Sequence, residues 1–240
     1  MIKIENVEVL GWEAAIRGMR NPMNSWEKSD SIFCKRTECY TCEVRDDCGV
    51  DILDYDIGPN DHNLMLKLCD SGTDHRKFMR MITVYVDIIA PLYWWKEFDT
   101  YKVGTVANSC STMHKIHAKE FTLEDFSCEH LITQAKSKLE KIVDILNGYR
   151  DIYVNWDRQD EFIQRAFDYE KKLVWWQLIQ LLPSSYNQKR TVMLNYEVLA
   201  NIYKSRNNHK LDEWRALCNW IEKLPYSELI TGKDNNDENM

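Results

Sequence analysis

Apolar and polar positions alternate over IKIENVEVL, residues 2–10, which predicts a half-buried strand, and WEAAIRGM directly after it switches to helical spacing. Residues 20–58 keep no period; with an Asn-Pro step, many acids and four cysteines they predict a surface connection or insertion. NDHNLMLKLC begins on Asn60, a good capping residue, so a short helix is expected there. The alternation of Leu64, Leu66 and Leu68 keeps a short strand as the alternative. MITVYVDIIA, β-branched and aromatic apart from Asp87, predicts a strand covered on both faces. Pro91 then opens a helix through LYWWKEF.

Helical spacing dominates the second half. Leu131, Ala135, Leu139, Ile142, Val143 and Leu146 form one stripe over residues 130–149. Residues 158–182 predict one long helix, whose end LVWWQLIQLL is apolar nearly all round and calls for burial. Pro183 stops it, SSYNQKR supplies a new cap, and a further helix is expected from Tyr186 to Ser205. Leu211, Trp214, Leu217, Cys218, Ile221 and Leu224 predict a last helix over 210–224, before a polar tail expected to be disordered over 231–240. The pattern gives an α+β fold, with a central antiparallel-type sheet flanked by long helices. It is expected to form a single domain over 1–230 that carries the cysteine-containing insertion at 20–58.

With 44% hydrophobic and 29% charged residues, the 240-residue chain has ordinary globular usage. Its net charge of −7 opposes nonspecific attachment to nucleic acid or to an acidic membrane surface, so neither is an expected partner. No stretch reaches the roughly 18 apolar residues of a membrane helix, and MIKIENVEVLGWE carries no signal-peptide pattern, which leads to a cytoplasmic expectation with reduced cysteines. Cys34, Cys39, Cys42 and Cys48 read C-x4-C-x2-C-x5-C. The C-x2-C pair offers two thiolates to one zinc or iron atom; reduced thiols in a surface insertion are the alternative.

Candidate chemistry gathers in FDTYKVGTVANSCSTMHK, residues 98–115. Gly104 permits close backbone approach, while Thr105, Ser109, Ser111 and Thr112 present short hydroxyls suited to cradling phosphate oxygens, or to a hydrogen-bonded turn. Cys110 among them is a nucleophile if Lys102 or a nearby histidine stabilises its thiolate, and otherwise a packed thiol. His114 and His117 serve acid-base chemistry or lie on the surface. On the helix expected from Tyr186, Val192, Asn195, Leu199 and Ile202 share the inward face, and Arg206 returns to that direction with His209 close by. A buried guanidinium requires an anionic partner, either a carboxylate of the chain or a ligand phosphate. No GxGxxG, GxxxxGK[ST], HExxH or GxSxG occurs.

Between about Gly72 and Leu229 the order of segments resembles the flavin-dependent thymidylate synthases. LLP at 181–183 is similar to the family's Leu-Pro, and NYEVLANIYKSRNNHKLDEW is similar to its N-x5-N-x4-R-x3-H-x2-W plan, with His209 and Trp214 each one residue out of register. VDIIAPLYWWKEFDTYKVGTVANSCSTMHK is similar to its strand, Ala-Pro, helix and Arg-His-Arg-x7-Ser signature. Thr100, Tyr101 and Lys102 stand in place of Arg-His-Arg, Glu97 in place of a nucleotide-contacting glutamine, and Ile179 in place of a phosphate-contacting arginine.

The resemblance implies FAD as cofactor, a dUMP-like nucleotide as substrate, methylenetetrahydrofolate and NADPH as cosubstrates, and a homotetramer. It carries the flavin side to Asn195, Asn201, Arg80, Tyr101 and His209. The nucleotide side goes to Arg206, Glu97 and Lys102, with Lys189 and Arg190 as replacement cations. Cys110 or, one residue on, Ser111 takes the signature serine's place, so the reacting loop is Ser109, Cys110 and Ser111. Two other outcomes stay open: a flavin- and thiol-dependent pyrimidine nucleotide enzyme using Cys110, or a non-catalytic nucleotide-binding or assembly protein on the same fold.

Overall fold

The computed structural model describes residues 2–33 and 55–232. Cys34, Cys39, Cys42 and Cys48, and the tail beyond Gly232, lie outside these described residues. β1 (Lys3–Leu10) passes into α1 (Trp12–Arg20) at Gly11, where φ is +96° and the Met81 carbonyl occupies the space a Cβ would need, so only glycine makes this turn. The short strands β2 (Ile32–Phe33) and β3 (Tyr55–Asp56) pair antiparallel. α2 (Pro59–Asp70) begins with proline in its first turn, where the missing N–H costs nothing, and realises the helical alternative for this segment. β4 (Thr83–Pro91), α3 (Leu92–Phe98) and β5 (Val106–Ser109) follow.

α4 (Thr133–Val154) carries the expected stripe, with Leu139, Val143 and Leu146 buried. Two expectations are corrected after it. The long helix over 158–182 is two: α5 (Glu161–Ala166), capped by Asp160, and α6 (Lys171–Leu181). Asp168 and Tyr169 take left-handed φ of 51° and 59° between them, and the Tyr169 N–H donates back to the Gln164 carbonyl at 2.8 Å, which closes the helix end. The apolar run of α6 is not fully covered either: Val174 and Leu178 are buried, whereas Trp176 and Leu181 are exposed.

The second correction concerns the segment after Pro183. Residues 187–195 form β6 (Asn187–Asn195), not the start of a helix. Gln188, Val192 and Leu194 are buried while Lys189, Thr191 and Met193 are less so, a period of two that only a strand satisfies. β6 lies between β4 and β5 in a four-stranded sheet ordered β1-β4-β6-β5. α7 (Tyr196–Arg206), α8 (Asp212–Ile221) and α9 (Glu228–Thr231) complete the described chain.

Two compact units are distinguished. The first comprises Met1–Asn6, Val86–Lys102 and Ala107–Val192; the second comprises Val7–Tyr85, Val103–Val106 and Met193–Met240. In the first, α4 packs on α6, and Leu139, Val143, Leu146 and Leu178 close over Phe121 and Phe126. In the second, α7 packs against α8, α9 and the 3-10 turn Arg76–Arg80. Trp12 there stands 5.2 Å from each of the Tyr55, Tyr196 and Tyr226 rings, an aromatic group that accounts for part of the chain's unusual tyrosine content. No helix among the described residues is long and apolar enough to cross a membrane.

Candidate functional site

In the second unit the site is built from α7 and the 3-10 turn facing it. Glu197 and Asn201 are four residues apart and Lys204 three further, so the three share one side of α7. Arg76 and Arg80 approach that side from the turn. Arg80 is ion-paired with the buried Glu197, which raises its already high pKa through the hydrogen bond and the charge of that carboxylate. Arg76 donates from Nη2 to the Asn201 side-chain oxygen at 3.3 Å and holds its Nε 3.7 Å from Glu197. The Arg76 Nε is enclosed and has no hydrogen-bond partner. Of these groups Arg76, Asn201 and Lys204 line a cleft of about 770 Å³, whose walls also include Leu66, Gly72 and Leu229.

The cap of α7 belongs to the same unit. Asn195 accepts the Val198 N–H on its side-chain oxygen at 3.0 Å. Gly104, with φ of +76°, passes so close that a Cβ there would stand 2.9 Å from the Asn195 amide nitrogen. At the far end of the helix the half-buried Arg206 lays its guanidinium 4.6 Å above the Trp214 ring. His209 accepts the Leu211 N–H on Nδ1 at 3.2 Å, and its ring lies 6.3 Å from Trp214. Arg206 and Asn195 therefore share no helix face; Asn195 ends a strand, and the common direction expected for them is corrected.

A separate polar group belongs to the first unit. Cys110 follows β5 with its thiol exposed; its N–H donates to the Lys189 carbonyl at 2.9 Å and its carbonyl accepts the Gln188 amide at 2.7 Å. Lys189 is 2.9 Å from Asp87, which also accepts from Thr191 at 2.6 Å and Asn6 at 2.8 Å. Those bonds, from Thr191 first, then Asn6 and Lys189, hold the Asp87 carboxyl down at about 2. Arg190 donates to Asp99 at 2.7 Å and lies 4.2 Å above the Trp95 ring. Both replacement cations thus already have carboxylates of their own chain.

The Ser111 hydroxyl oxygen accepts the N–H groups of Met113 at 3.2 Å and His114 at 2.8 Å, a local turn that matches the alternative reading of this hydroxyl-rich stretch. Ser109 ends β5 and is exposed, as is Lys102. Glu97 lies in the last turn of α3, its carbonyl accepting the Thr100 hydroxyl at 2.7 Å, and the Tyr101 ring lies 6.5 Å from Phe98. Arg76, Glu197 and Lys204 were not singled out by the sequence. Their signal was the spacing of four residues in Arg76/Arg80 and in Glu197/Asn201, readable only once α7 is known to start at Tyr196.

Among the described residues no group of three or more histidine, cysteine or acidic side chains is arranged to hold a metal ion.

Neither a family model nor a curated protein sequence matches the chain. Its fold, in contrast, is similar to solved structures. Thymidylate Synthase X (ThyX) from Helicobacter pylori, solved with FAD and dUMP, superposes with a TM-score of 0.63 at 13% identity, covering 96% of this chain and 97% of that one. A second Helicobacter pylori ThyX complexed with FAD and dUMP gives 0.57 at 14% identity, over 95% and 97% of the two chains. The UMP/dUMP methylase PolB from Streptomyces cacaoi, bound with 5-Br dUMP, gives 0.50 at 11% identity, over 97% and 95%. The chain has the α+β fold of the flavin-dependent thymidylate synthases over nearly its whole length, as the resemblance implied.

Proposed function

We propose that this chain binds FAD and a dUMP-like uridine nucleotide and transfers a one-carbon unit to C5 of the uracil ring, with methylenetetrahydrofolate and NADPH as cosubstrates. The observation that carries the reading is Arg76, whose enclosed Nε lacks a hydrogen-bond partner at a cleft that also presents Asn201 and Lys204. A cleft of about 770 Å³ accommodates a ring system with its phosphates, and this set of donors fits a flavin. Arg76 and Lys204 would hold phosphate oxygens, Asn201 a carbonyl or amide edge, and Leu66 and Leu229 the apolar ring. A bound flavin would supply hydride. The chain's own part is to orient and to fix charge, and Glu197 keeps two guanidinium groups in place before any ligand arrives.

Titration of the purified protein with FAD, followed in the visible absorbance and by quenching of flavin fluorescence, tests the cofactor. Conversion of dUMP to dTMP in the presence of both cosubstrates tests the reaction. A non-catalytic nucleotide-binding protein is the second reading, favoured by one observation: Lys189 and Arg190 are already paired with Asp87 and Asp99. Protein that takes up no FAD yet binds dUMP would select it over the enzyme.

A further inference from the structure

One wall of the 770 Å³ cleft is α9 (Glu228–Thr231), a single turn too short to hold itself, which docks on α2 and α7. Glu228 on α9 and Asp70 on α2 both line the cleft, so two carboxylates share it with the cations Arg76 and Lys204. Glu228 is buried, and a buried carboxylate requires a partner. His62, two turns before Asp70 on α2, supplies one: its Nε2 lies 2.7 Å from the Glu228 Oε1. The His62 side chain is 29% exposed, enough to exchange its proton with solvent.

The groups around this pair keep a fixed charge near neutral pH. On the α9 side the Tyr226 ring lies 5.5 Å from His62, and its hydroxyl accepts the Ile57 N–H at 3.4 Å. Burial pushes the phenols of Tyr226 and Tyr196 upward, and the charge of Glu228 adds to both shifts, so both stay neutral. The other element packed on α2, the 3-10 turn Arg76–Arg80, brings the Arg76 charge to Cys69, whose thiol burial pushes up to about 12. Asp61, beside His62 in the chain, is engaged by Arg20, Ser29 and Ser31. None of the described residues lining the cleft is itself a histidine.

We propose that His62, acting through Glu228, is a pH-dependent charge switch on this cleft. Protonated, the imidazolium cancels the Glu228 charge across their 2.7 Å contact. The neutral imidazole can still donate from Nε2, but it leaves the charge of the carboxylate facing the cleft. An anionic ligand is therefore held more tightly below the titration range of histidine than above it. The switch adds regulation to the reading above and rests on that reading for the ligand, FAD, whose diphosphate diester keeps a constant charge across this range. His62 touches no ligand in this account; it sets the charge of a residue that lines the cleft.

The test is fluorescence titration of the full-length protein with FAD at pH ~6 and pH ~8 and constant ionic strength. The wild-type Kd is expected to rise by about three-fold or more between the two, and to stay level in His62→Gln and in Glu228→Gln. Asp70→Asn removes the other carboxylate of the walls and is expected to tighten binding at both pH values while keeping their ratio. A level wild-type Kd, or the same rise in the His62 and Glu228 variants, would overturn the switch. A second readout involves no flavin: Cys69, which lines the cleft, is alkylated with anionic iodoacetate and with uncharged iodoacetamide, and its labelling is followed by peptide mass spectrometry. The ratio of the two rates cancels the thiolate fraction and reports the local charge. It is expected to fall by about two-fold or more from pH ~6 to pH ~8 in wild type and to stay level in Glu228→Gln. A wild-type ratio equal at both pH values overturns the switch without recourse to a variant. Protein that takes up no FAD at either pH defeats the cofactor reading alone, and the alkylation ratio then decides the switch.

Discussion

A Cβ on Gly104 would stand 2.9 Å from the amide nitrogen of Asn195, the residue whose other side-chain atom caps α7. One backbone approach therefore couples the turn two residues before β5 to the start of the helix bearing Glu197, Asn201 and Lys204. Gly104→Ala adds this clash to a left-handed φ of +76° and is expected to cost about 1–3 kcal/mol of stability. Asn195→Ala removes the cap alone and is expected to cost about 1 kcal/mol, with Asn195→Asp close to wild type. Urea unfolding of the single and double variants measures both; because the sites touch, the double variant is expected to lose less than the sum.

Arg20 and Asp61 form the most enclosed ion pair among the described residues, 2.6 Å apart with side-chain exposures of 4% and 0%. Burial alone would raise the Asp61 pKa, but hydrogen bonds from Ser31, Ser29 and Arg20 outweigh it and hold the carboxyl below its usual range. Arg20→Ala would leave a buried carboxylate without its charge partner, and is expected to destabilise by about 3–5 kcal/mol in thermal or urea melts.

The same depression sets the acid limit. A carboxyl whose folded pKa lies below its unfolded value contributes stability that is complete above the unfolded value, near 4, and is lost as pH falls toward the folded one. Asp61 acts in this direction, and so does Asp87, held at about 2 by Thr191, Asn6 and Lys189. Stability is expected to be flat above pH ~5 and to drop between ~4 and ~2. Asp61→Asn, already weaker at neutral pH, is expected to show a shallower drop in urea midpoints measured across that range.

Most of the fold was legible in the chain. β1, α1, β4, α3, α4 and α8 appear where alternation, helical spacing and Pro91 put them. The failures share a cause. Over 187–195 a capping sequence after proline and well-spaced apolar residues imitated a helix, because nothing local reveals that two strands flank the segment. That error aligned Asn195 with Arg206 and hid the face formed by Glu197, Asn201 and Lys204. Between α5 and α6 the apolar count ran on through Asp168 and Tyr169, whose left-handed conformation carries no strong sequence signal. The carboxylate partners of Lys189 and Arg190 come from Asp87 and Asp99, about 90 or more positions away, a pairing no local spacing foretells.

Cys110 offers a test of the chemistry. Its thiol is exposed while both of its backbone groups are bonded to the Lys189 carbonyl and the Gln188 side chain, so the loop's position does not depend on the sulfur. Under the proposed one-carbon transfer, Cys110→Ser is expected to keep dUMP affinity and to change turnover by less than about three-fold, since an equally small hydroxyl takes the same place. Loss of turnover by about a hundred-fold with affinity kept would instead give the sulfur a nucleophile's role, and the flavin- and thiol-dependent reaction would replace the transfer proposed above. Steady-state kinetics with calorimetric dUMP titration separates the two.

Arg76 and Arg80 reach the same carboxylate, yet they are expected to differ in what they do for a ligand. Arg80 is more than half exposed, is bound to Glu197, and lies outside the walls of the 770 Å³ cleft. Its charge is already neutralised, so Arg80→Ala is expected to change FAD affinity by less than about three-fold. Arg76 lines the cleft and holds Glu197 only at 3.7 Å, without a hydrogen bond from its Nε, so its guanidinium has more charge to offer a ligand phosphate than that of Arg80. Arg76→Ala is expected to weaken FAD binding by about ten-fold or more, with Arg76→Lys intermediate because a point charge replaces the planar fork. Circular dichroism and urea midpoints should show both alanine variants folded, since Glu197 retains one guanidinium in each. Fluorescence titration with FAD then decides: equal losses in the two variants would mean that the cations act only by holding Glu197, and that the flavin lies elsewhere.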